Sequence, residues 1–406
     1  MRVLLADKLP DQARVRLASH GMEVRADPSL KDGALVDTLT SFDPEVLVVR
    51  STKVRAEHLA AASSLSLIVR AGAGVNSIDV SGAAAQGIYV ANCPGKNAVA
   101  VAELTMGLLL SLDRHIPDNV AELRAGQWDK KRFSAADGLR GRTLGILGMG
   151  QIGAEVARLG QAFGMDVLAW SRSLDDATAG AMGIRRYDTP EDVALRSNVL
   201  SVHLALTPET RGFVGDSIFE EMKPNAIFLN TCRAEVVNEE ALLRALDRPG
   251  IRAGLDVFSD EPSTSKAPFS HALAAHPRVY GTHHIGASTA QAQHAVADEA
   301  CRIVETYKDS GHVPNCVNLT KPSRADHTLI VRHLDRVGVL ASVLQALRTE
   351  NLSVGEMDNL IFDGEEAAVA RIRLRGRPTD SALSTLLDHP HILSATCVPT
   401  PARSAS

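Results

Sequence analysis

The feature that most constrains this chain is a series of short aliphatic runs separated by stretches of helical periodicity. Four fall early, at Val3–Ala6, Val46–Val49, Leu67–Val69 and Ile88–Ala91. Six follow, at Thr143–Leu147, Val167–Trp170, Val199–Leu204, Ala226–Asn230, Arg252–Val257 and Val279–Thr282. Most are largely apolar runs, several of them bounded by Gly, Asp or Asn, as expected of parallel strands covered on both faces. Strands that alternate with helices argue for open α/β sheets, and two series argue for two of them. The length of 406 residues allows two to three domains.

Composition narrows the function classes. With 45% hydrophobic and 22% charged residues, the chain is not largely disordered. A net charge of −5 supplies no basic footprint for nucleic acid and no polybasic membrane patch. The most apolar window, Ala98–Leu112, is interrupted by Glu103 and Thr105 and is too short and polar to span a bilayer. The start, MRVLLADKLP, lacks a long apolar stretch ending at a small-residue cleavage site, so no signal peptide is expected. The five cysteines are scattered and form no CxxC pair, so neither a disulfide framework nor a metal site is expected. A reducing cytoplasm is the expected location.

Beyond about Gly311 the pattern changes. From His327 the sequence reads strand, helix, strand, turn, strand, with Asp363-Gly364 as a hairpin signal. The helix Val337–Glu350 places Val339, Leu340, Val343, Leu344 and Leu347 on one face. A helix at Ser381–Leu387 and a strand at Ile392–Val398 complete a βαββαβ, ferredoxin-like module. A linker is expected at Lys321–Asp326 and a disordered tail at Pro401–Ser406.

Gly148-Met-Gly150-Gln151-Ile152-Gly153 is a G-x-G-x-x-G motif between the strand TLGIL and the helical run QIGAEVARLGQAF. In that context the glycines allow a tight turn and close backbone approach, and the helix start offers unpaired N–H groups to a pyrophosphate. About 20 residues on, a carboxylate is usual for binding the ribose hydroxyls of NAD. Here the second strand runs into Ser171 and Arg172, and acids appear only at Asp175 and Asp176. Serine and arginine suit a 2′-phosphate, so NAD and NADP both remain open.

Three later segments put polar residues at strand ends. They are Asn230-Thr-Cys-Arg233-Ala-Glu-Val-Val-Asn-Glu-Glu-Ala-Leu, Asp256-Val-Phe-Ser-Asp-Glu261-Pro262, and Thr282-His-His284-Ile-Gly-Ala-Ser-Thr289. Together with Arg70-Ala-Gly-Ala-Gly74-Val75, Asn97-Ala-Val-Ala-Val-Ala-Glu103 and His203-Leu-Ala-Leu-Thr207-Pro-Glu-Thr210, they occur in the order of the D-isomer-specific 2-hydroxyacid dehydrogenases, which the chain resembles from Met1 to about Leu319. The terminal module, with His333-Leu-Asp-Arg-Val-Gly-Val-Leu340, resembles an ACT domain. The resemblance implies two Rossmann-like doubly wound domains: a discontinuous substrate domain over 1–95 and 286–318, and a dinucleotide-binding domain over 96–285. An ACT domain over 327–400 follows.

The resemblance also implies chemistry. Arg233 matches the arginine that binds the substrate carboxylate, a task suited to a permanently charged fork. His284 matches the acid/base, Glu261 its carboxylate partner, and Asp256 a residue near the nicotinamide; His203 and Thr207 fall in the cofactor-side segment. Arg50 and Ser51, in an R-S-x-T-like loop, with Gly74 and Asn97, are the implied substrate contacts; Lys53 and Arg70 are further cation candidates. A 2-hydroxyacid dehydrogenase body joined to an ACT domain implies NAD(P)-dependent oxidation of 3-phospho-D-glycerate to 3-phosphooxypyruvate, the first step of L-serine biosynthesis, in a homo-oligomer. L-serine is the implied effector, at His333, Asp335, Gly338 and Asn351. The alternatives are a glyoxylate or hydroxypyruvate reductase, and a non-catalytic dinucleotide-sensing regulator. The chain departs from the family at His283, where proline is usual, at Ala234 after the arginine, and at Asn76, where aspartate is common.

Overall fold

The computed structural model describes residues 1–248, 250–262, 266–320 and 325–400. The chain divides into two compact units, Met1–Asn318 and Leu319–Ser406. The expected tail and residues 321–324 of the expected linker lie outside the described residues.

The first unit holds two parallel sheets. The smaller contains β1 (Arg2–Leu5), β2 (Glu23–Ala26), β3 (Val46–Val49), β4 (Leu67–Arg70) and β5 (Tyr89–Asn92), in the order β2-β1-β3-β4-β5. The larger contains β6 (Thr143–Leu147), β7 (Asp166–Trp170), β8 (Arg185–Arg186), β9 (Val199–Val202), β10 (Ile227–Asn230), β11 (Arg252–Leu255) and β12 (Val279–Gly281), in the order β12-β11-β10-β9-β6-β7-β8. In such sheets a crevice opens at the carboxyl ends of the strands where the order reverses. Those points are β1/β3 in the first sheet and β6/β9 in the second.

Burial on both faces explains why the central strands were legible. All four residues of β3, β9 and β10 are buried. Two strands were not expected from the sequence, and both are edge strands. β2 is Glu-Val-Arg-Ala and largely exposed, and β8 is two arginines. Several strands also stop earlier than their apolar runs, β9 at Val202 and β11 at Leu255, because the following residues leave the sheet to build the site.

The chain crosses between the sheets twice. After β5, the helix Ala98–Arg114 packs on β10 and β11 of the larger sheet. The helix Ala290–Ser310 returns to pack on the helix Asp11–Ser19 and on β4. An antiparallel bridge between Ala91 and Cys316 then closes the smaller sheet's edge. No described helix is long and apolar enough to cross a membrane.

The second unit is an antiparallel sheet of β13 (His327–Leu334), β14 (Ser353–Ile361), β15 (Ala367–Arg375) and β16 (Ile392–Pro399), ordered β14-β15-β13-β16. Two helices, Val339–Thr349 and Asp380–Leu387, supply the rest of the βαββαβ order. Val339, Val343 and Leu347 enter the core as the helical spacing implies, but Leu344 is exposed. The hairpin turn is longer than Asp363-Gly364 alone: Phe362 N–H donates to Ala367 O (2.9 Å), enclosing four residues.

Candidate active site

The first part of the site lies at the β6/β9 reversal. β6 runs into Gly148, whose φ of +101° suits glycine and whose Cβ would stand 2.6 Å from His203 O. At Gly153 a Cβ would lie 2.1 Å from Gly148 O, so only glycine lets the helix Gln151–Ala162 begin against the turn. Gly150 is different: nothing lies within 4 Å of its Cβ position. The turn is thus closed on the protein side and open where Gly150, Gln151 and Ile152 begin the helix, an arrangement suited to a pyrophosphate.

Beside this loop the His203 ring is buried, with Nε2 2.8 Å from Ser201 Oγ and Nδ1 without a partner among the described residues. Burial pushes its pKa down to about 3, so the ring is neutral. The unpaired nitrogen and the open cradle both fit a bound dinucleotide. Ser171 and Arg172 follow β7, with Arg172 exposed; the Glu209 carboxyl is held below its usual range chiefly by the Thr207 hydroxyl, with Arg172 adding to it. The Asp175 carboxylate caps the helix Asp176–Ala181 through Thr178 N–H (2.7 Å). Thr207 is engaged locally, its N–H donating to Thr210 Oγ1 (2.8 Å).

The second part lies at the carboxyl ends of β10, β11 and β12. His284 sits at φ +52°, uncommon for a residue other than glycine, and its Nδ1 is 2.7 Å from Glu261 Oε2. Glu261 Oε1 accepts from Phe258 N–H (3.0 Å). Burial alone would raise the Glu261 pKa; the His284 bond, the Phe258 N–H and nearby Arg233 outweigh it and hold the carboxyl below its usual range. Nδ1 makes the only side-chain hydrogen bond of His284 among the described residues, which leaves Nε2 for a reactant. His283 is exposed, and no hydrogen bond holds its ring among the described residues.

Asp256 anchors this turn. It is buried, and its carboxylate accepts from Thr282 Oγ1 (2.6 Å), Ile285 N–H (2.8 Å) and Gly286 N–H (2.8 Å). A carboxylate has about four acceptor sites, so one bond toward a cofactor is the most Asp256 has left.

Arg233 follows β10 and reaches toward the smaller sheet. Its Nη1 donates to Cys232 O (2.6 Å), and its Nη2 lies 2.6 Å from where a Cβ of Gly74 would stand. Arg70, at the end of β4, fills the space over Gly72, where a Cβ would meet its guanidinium at 1.6 Å. Burial, then Arg233 and Arg50, push the Arg70 pKa down to about 10. Three guanidiniums therefore share one region, and none of them forms an ion pair among the described residues. Arg50 and Ser51 lie on the loop after β3, with their N–H groups on Asp7 Oδ2 at 2.6 and 3.0 Å. Asn97 precedes the helix Ala98–Arg114, and its Oδ1 is buried without a partner among the described residues.

The candidate effector residues do not converge. Asn351 lines a cavity of about 290 Å³ with Leu344, Leu347, Arg348, Ser353 and Val354. His333 is 1% exposed and is held elsewhere in the unit, with Nδ1 2.8 Å from Leu334 O and Nε2 3.1 Å from Asn359 Oδ1. Asp335 and Gly338 do not line the Asn351 cavity. Of the four, Asn351 alone lines this cavity, and the buried His333 lies on the sheet's covered face.

Sequence reasoning missed two groups. Asp7 holds the Arg50 loop, and its only sequence signal is a polar residue just past the first aliphatic run. Glu239, Ser259 and His271 brace the turn carrying Glu261: Ser259 Oγ donates to Glu239 Oε2 (2.5 Å) and lies 3.0 Å from His271 Nε2. These contacts hold His271 beside Ser259 and Glu239.

Comparison with known proteins agrees with this geometry. Residues 106–286 match the model of the D-isomer specific 2-hydroxyacid dehydrogenase NAD binding domain. The chain is 37% identical over 383 residues to a D-3-phosphoglycerate dehydrogenase of Mycobacterium bovis, covering 92% of this chain and 69% of that protein. A D-3-phosphoglycerate dehydrogenase of Methanocaldococcus jannaschii is 37% identical over 321 residues, 79% of this chain and 60% of that protein. Several of these curated relatives are longer, and the chain spans 56–64% of their length. An NAD+-bound 3-phosphoglycerate dehydrogenase of Entamoeba histolytica superposes with a TM-score of 0.65 at 25% identity, covering 79% of this chain and 99% of that one. With the glycine cradle on one sheet and the Arg233, Glu261 and His284 cluster beside it, the chain belongs to the D-isomer-specific 2-hydroxyacid dehydrogenases.

Proposed function

We propose that this protein oxidises 3-phospho-D-glycerate to 3-phosphooxypyruvate, the first step of L-serine biosynthesis. The observation that carries this reading is the group of three guanidiniums, Arg50, Arg70 and Arg233, beside the Glu261–His284 pair. A 2-hydroxy acid with one carboxylate calls for one arginine. An acid that also bears a phosphate calls for more, and charge-assisted bonds from guanidinium forks suit both groups. We take the smaller sheet, with residues 1–95 and 286–318, as the part that holds the acid, and 96–285 as the part that holds the dinucleotide.

In this reading Arg233 binds the carboxylate and polarises the C2 oxygen, while Arg50 and Arg70 face the phosphate. Ser51, Gly74 and Asn97 line the same region. His284 Nε2 takes the proton of the C2 hydroxyl. Glu261 keeps the ring in the tautomer with hydrogen on Nδ1 and stabilises the imidazolium that forms. Gly148, Gly150, Gln151, Ile152 and Gly153 hold the pyrophosphate, with His203 and Thr207 beside them, and Asp256 fixes the turn on which His284 sits. A nicotinamide held there would supply the acceptor for the C2 hydride. In reduction His284 returns the proton.

The test is steady-state kinetics on phosphorylated and unphosphorylated acids. The reading expects kcat/KM for 3-phospho-D-glycerate to exceed that for D-glycerate by about a hundredfold or more, roughly 2.7 kcal/mol. A preference for glyoxylate or hydroxypyruvate would favour a reductase, and no turnover over a panel of 2-hydroxy acids would favour a dinucleotide sensor.

The NAD-binding domain carries the family's cofactor, and we infer that NADP is also accepted, because Ser171 and exposed Arg172 stand where a repelling carboxylate is usual. We read the second unit as an ACT domain that takes an amino-acid effector, L-serine, in the Asn351 cavity. We also read it as pairing with a second copy through β14, an edge strand with Val354, Met357, Leu360 and Ile361 exposed. On its unpaired cysteines we assign the protein to a reducing compartment such as the cytoplasm.

A further inference from the structure

We propose that Asp7 is the positioning residue of the anion-binding loop and thereby sets the affinity for an acid that carries a second negative group. The proposal rests on the reading of Arg50 and Arg70 as the phosphate-facing cations. Asp7 lies just past β1, and the loop Arg50–Thr52 lies just past β3, so the two meet at the strand-order reversal of the smaller sheet. That is the place in a doubly wound sheet where a ligand crevice opens.

The contacts are unusually concentrated. Asp7 Oδ2 accepts from the N–H groups of Arg50 (2.6 Å), Ser51 (3.0 Å) and Thr52 (3.0 Å). Its Oδ1 accepts from Ser51 Oγ (3.0 Å). Among the described residues these three amides have no other acceptor. A single carboxylate thus gathers three consecutive backbone donors and fixes the path of the loop from which the Arg50 side chain departs. Arg50 in turn is close enough to Arg70 to push that guanidinium's pKa down, so the loop's path decides how the cations face one another.

Asp7 also acts as a charge, since it favours the protonated form of Arg70. The two roles give opposite signs on substitution. If Asp7 mattered only as a negative charge near an anion site, its removal would tighten binding of an anionic substrate. If it positions the loop, removal weakens that binding although the site becomes more positive.

The experiment compares Asp7→Asn with the parent protein in the reducing direction, using 3-phosphooxypyruvate and 3-hydroxypyruvate, which differ only by the phosphoryl group. Asparagine keeps the size and leaves one oxygen to accept. The positioning role expects KM for 3-phosphooxypyruvate to rise about tenfold or more, with kcat, KM for 3-hydroxypyruvate and KM for the cofactor each within about threefold, since one lost set of bonds to a charged acceptor is worth at least this much. An unchanged or lowered KM for 3-phosphooxypyruvate overturns the proposal. Absence of turnover in the parent protein instead overturns the functional reading. Amide hydrogen exchange of the parent protein without substrate provides a readout that does not depend on the variant's folding. The amides of residues 50–52 are expected to exchange slowly, and fast exchange there also overturns the proposal.

Discussion

Gly74→Ala isolates the position of Arg233 from the stability of the fold. A Cβ at Gly74 would stand 2.6 Å from Arg233 Nη2 and 3.2 Å from Asn76 Oδ1. To regain ordinary contact the guanidinium must retreat by roughly 0.8 Å, and it can, because it is the end of a flexible side chain. Gly74 is not in the left-handed region, so alanine fits its backbone without strain. Replacing glycine at such a site tends to stabilise by about 0.4–1 kcal/mol through the unfolded chain. The variant should therefore melt at or slightly above the parent temperature. A displacement approaching 1 Å in a positioning arginine costs on the order of a hundredfold in rate, about 2.7 kcal/mol in the barrier. We expect kcat/KM to fall by about that factor, with the dissociation constant for the cofactor unchanged. Thermal melts, cofactor titration and steady-state rates read the three quantities. A folded variant that binds cofactor and keeps kcat/KM within about twofold would refute the placement of the substrate carboxylate on Arg233.

Other outcomes test other parts of the site. His284→Ala should lower kcat by about 10²–10⁴, the usual worth of a placed acid/base, and His283→Ala far less; the reverse order would move the acid/base to His283. NAD and NADP should differ in kcat/KM by less than about tenfold, near 1.4 kcal/mol, and a preference for NAD above about a hundredfold would refute the role given to Ser171 and Arg172. Glu299, buried on the helix Ala290–Ser310, is held down to about 2 chiefly by the Arg302 bonds (3.0 and 2.6 Å), with Asn315 and Lys96 adding to them. Its folded pKa lies below the unfolded one, so its contribution is complete above about pH 4.5 and is lost as pH falls toward 2. Denaturant melts at pH 6 and pH 3 should show Glu299→Gln losing most of its difference from the parent at the lower pH, and an equal difference at both would refute the assignment. L-Serine at millimolar concentration should slow the full-length enzyme, within the roughly 5- to 150-fold range of typical couplings, and unchanged rates would leave the second unit a structural role.

The sheets were legible because a strand covered on both faces must be apolar along its whole length. β3, β9 and β10 announced themselves in this way, and the βα alternation implied open sheets, while the order of the strands within them came only from the structure. β2 and β8 were not legible, because an edge strand exposed to water carries no such signal. The glycine cradle could be read because Gly148 and Gly153 are required by backbone oxygens at 2.6 and 2.1 Å, which no side chain can share. Glu261 and His284, at 2.7 Å, are 23 residues apart, and only the resemblance to a family linked them beforehand. The Arg70 position was weakly legible, as one cation among several. Asp7 was not legible, because its partners are main-chain amides some 43 residues away that have no sequence code.

The carboxylates explain how the site stays positive. Asp256 and Asp7 each occupy the carboxyl end of a strand, one in each sheet. Each turns its oxygens to the main chain of the neighbouring loop: Ile285 and Gly286 in one case, Arg50, Ser51 and Thr52 in the other. Glu261 divides its own between Phe258 N–H and His284. A carboxylate engaged by amide donors is partly compensated by dipoles and offers a guanidinium its charge at a distance rather than a direct bond. Arg50, Arg70 and Arg233 consequently share one region without ion-pair partners among the described residues, an arrangement that burial and mutual repulsion make costly and that, on the proposed reading, an anionic substrate relieves. Arg142 shows the contrast within the same unit: its bond to buried Asp113 at 3.0 Å closes a pair that no ligand is needed to complete. On the proposed reading, what separates Arg142 from Arg50 is that Asp113 pairs with the guanidinium whereas Asp7 is taken up by main-chain amides.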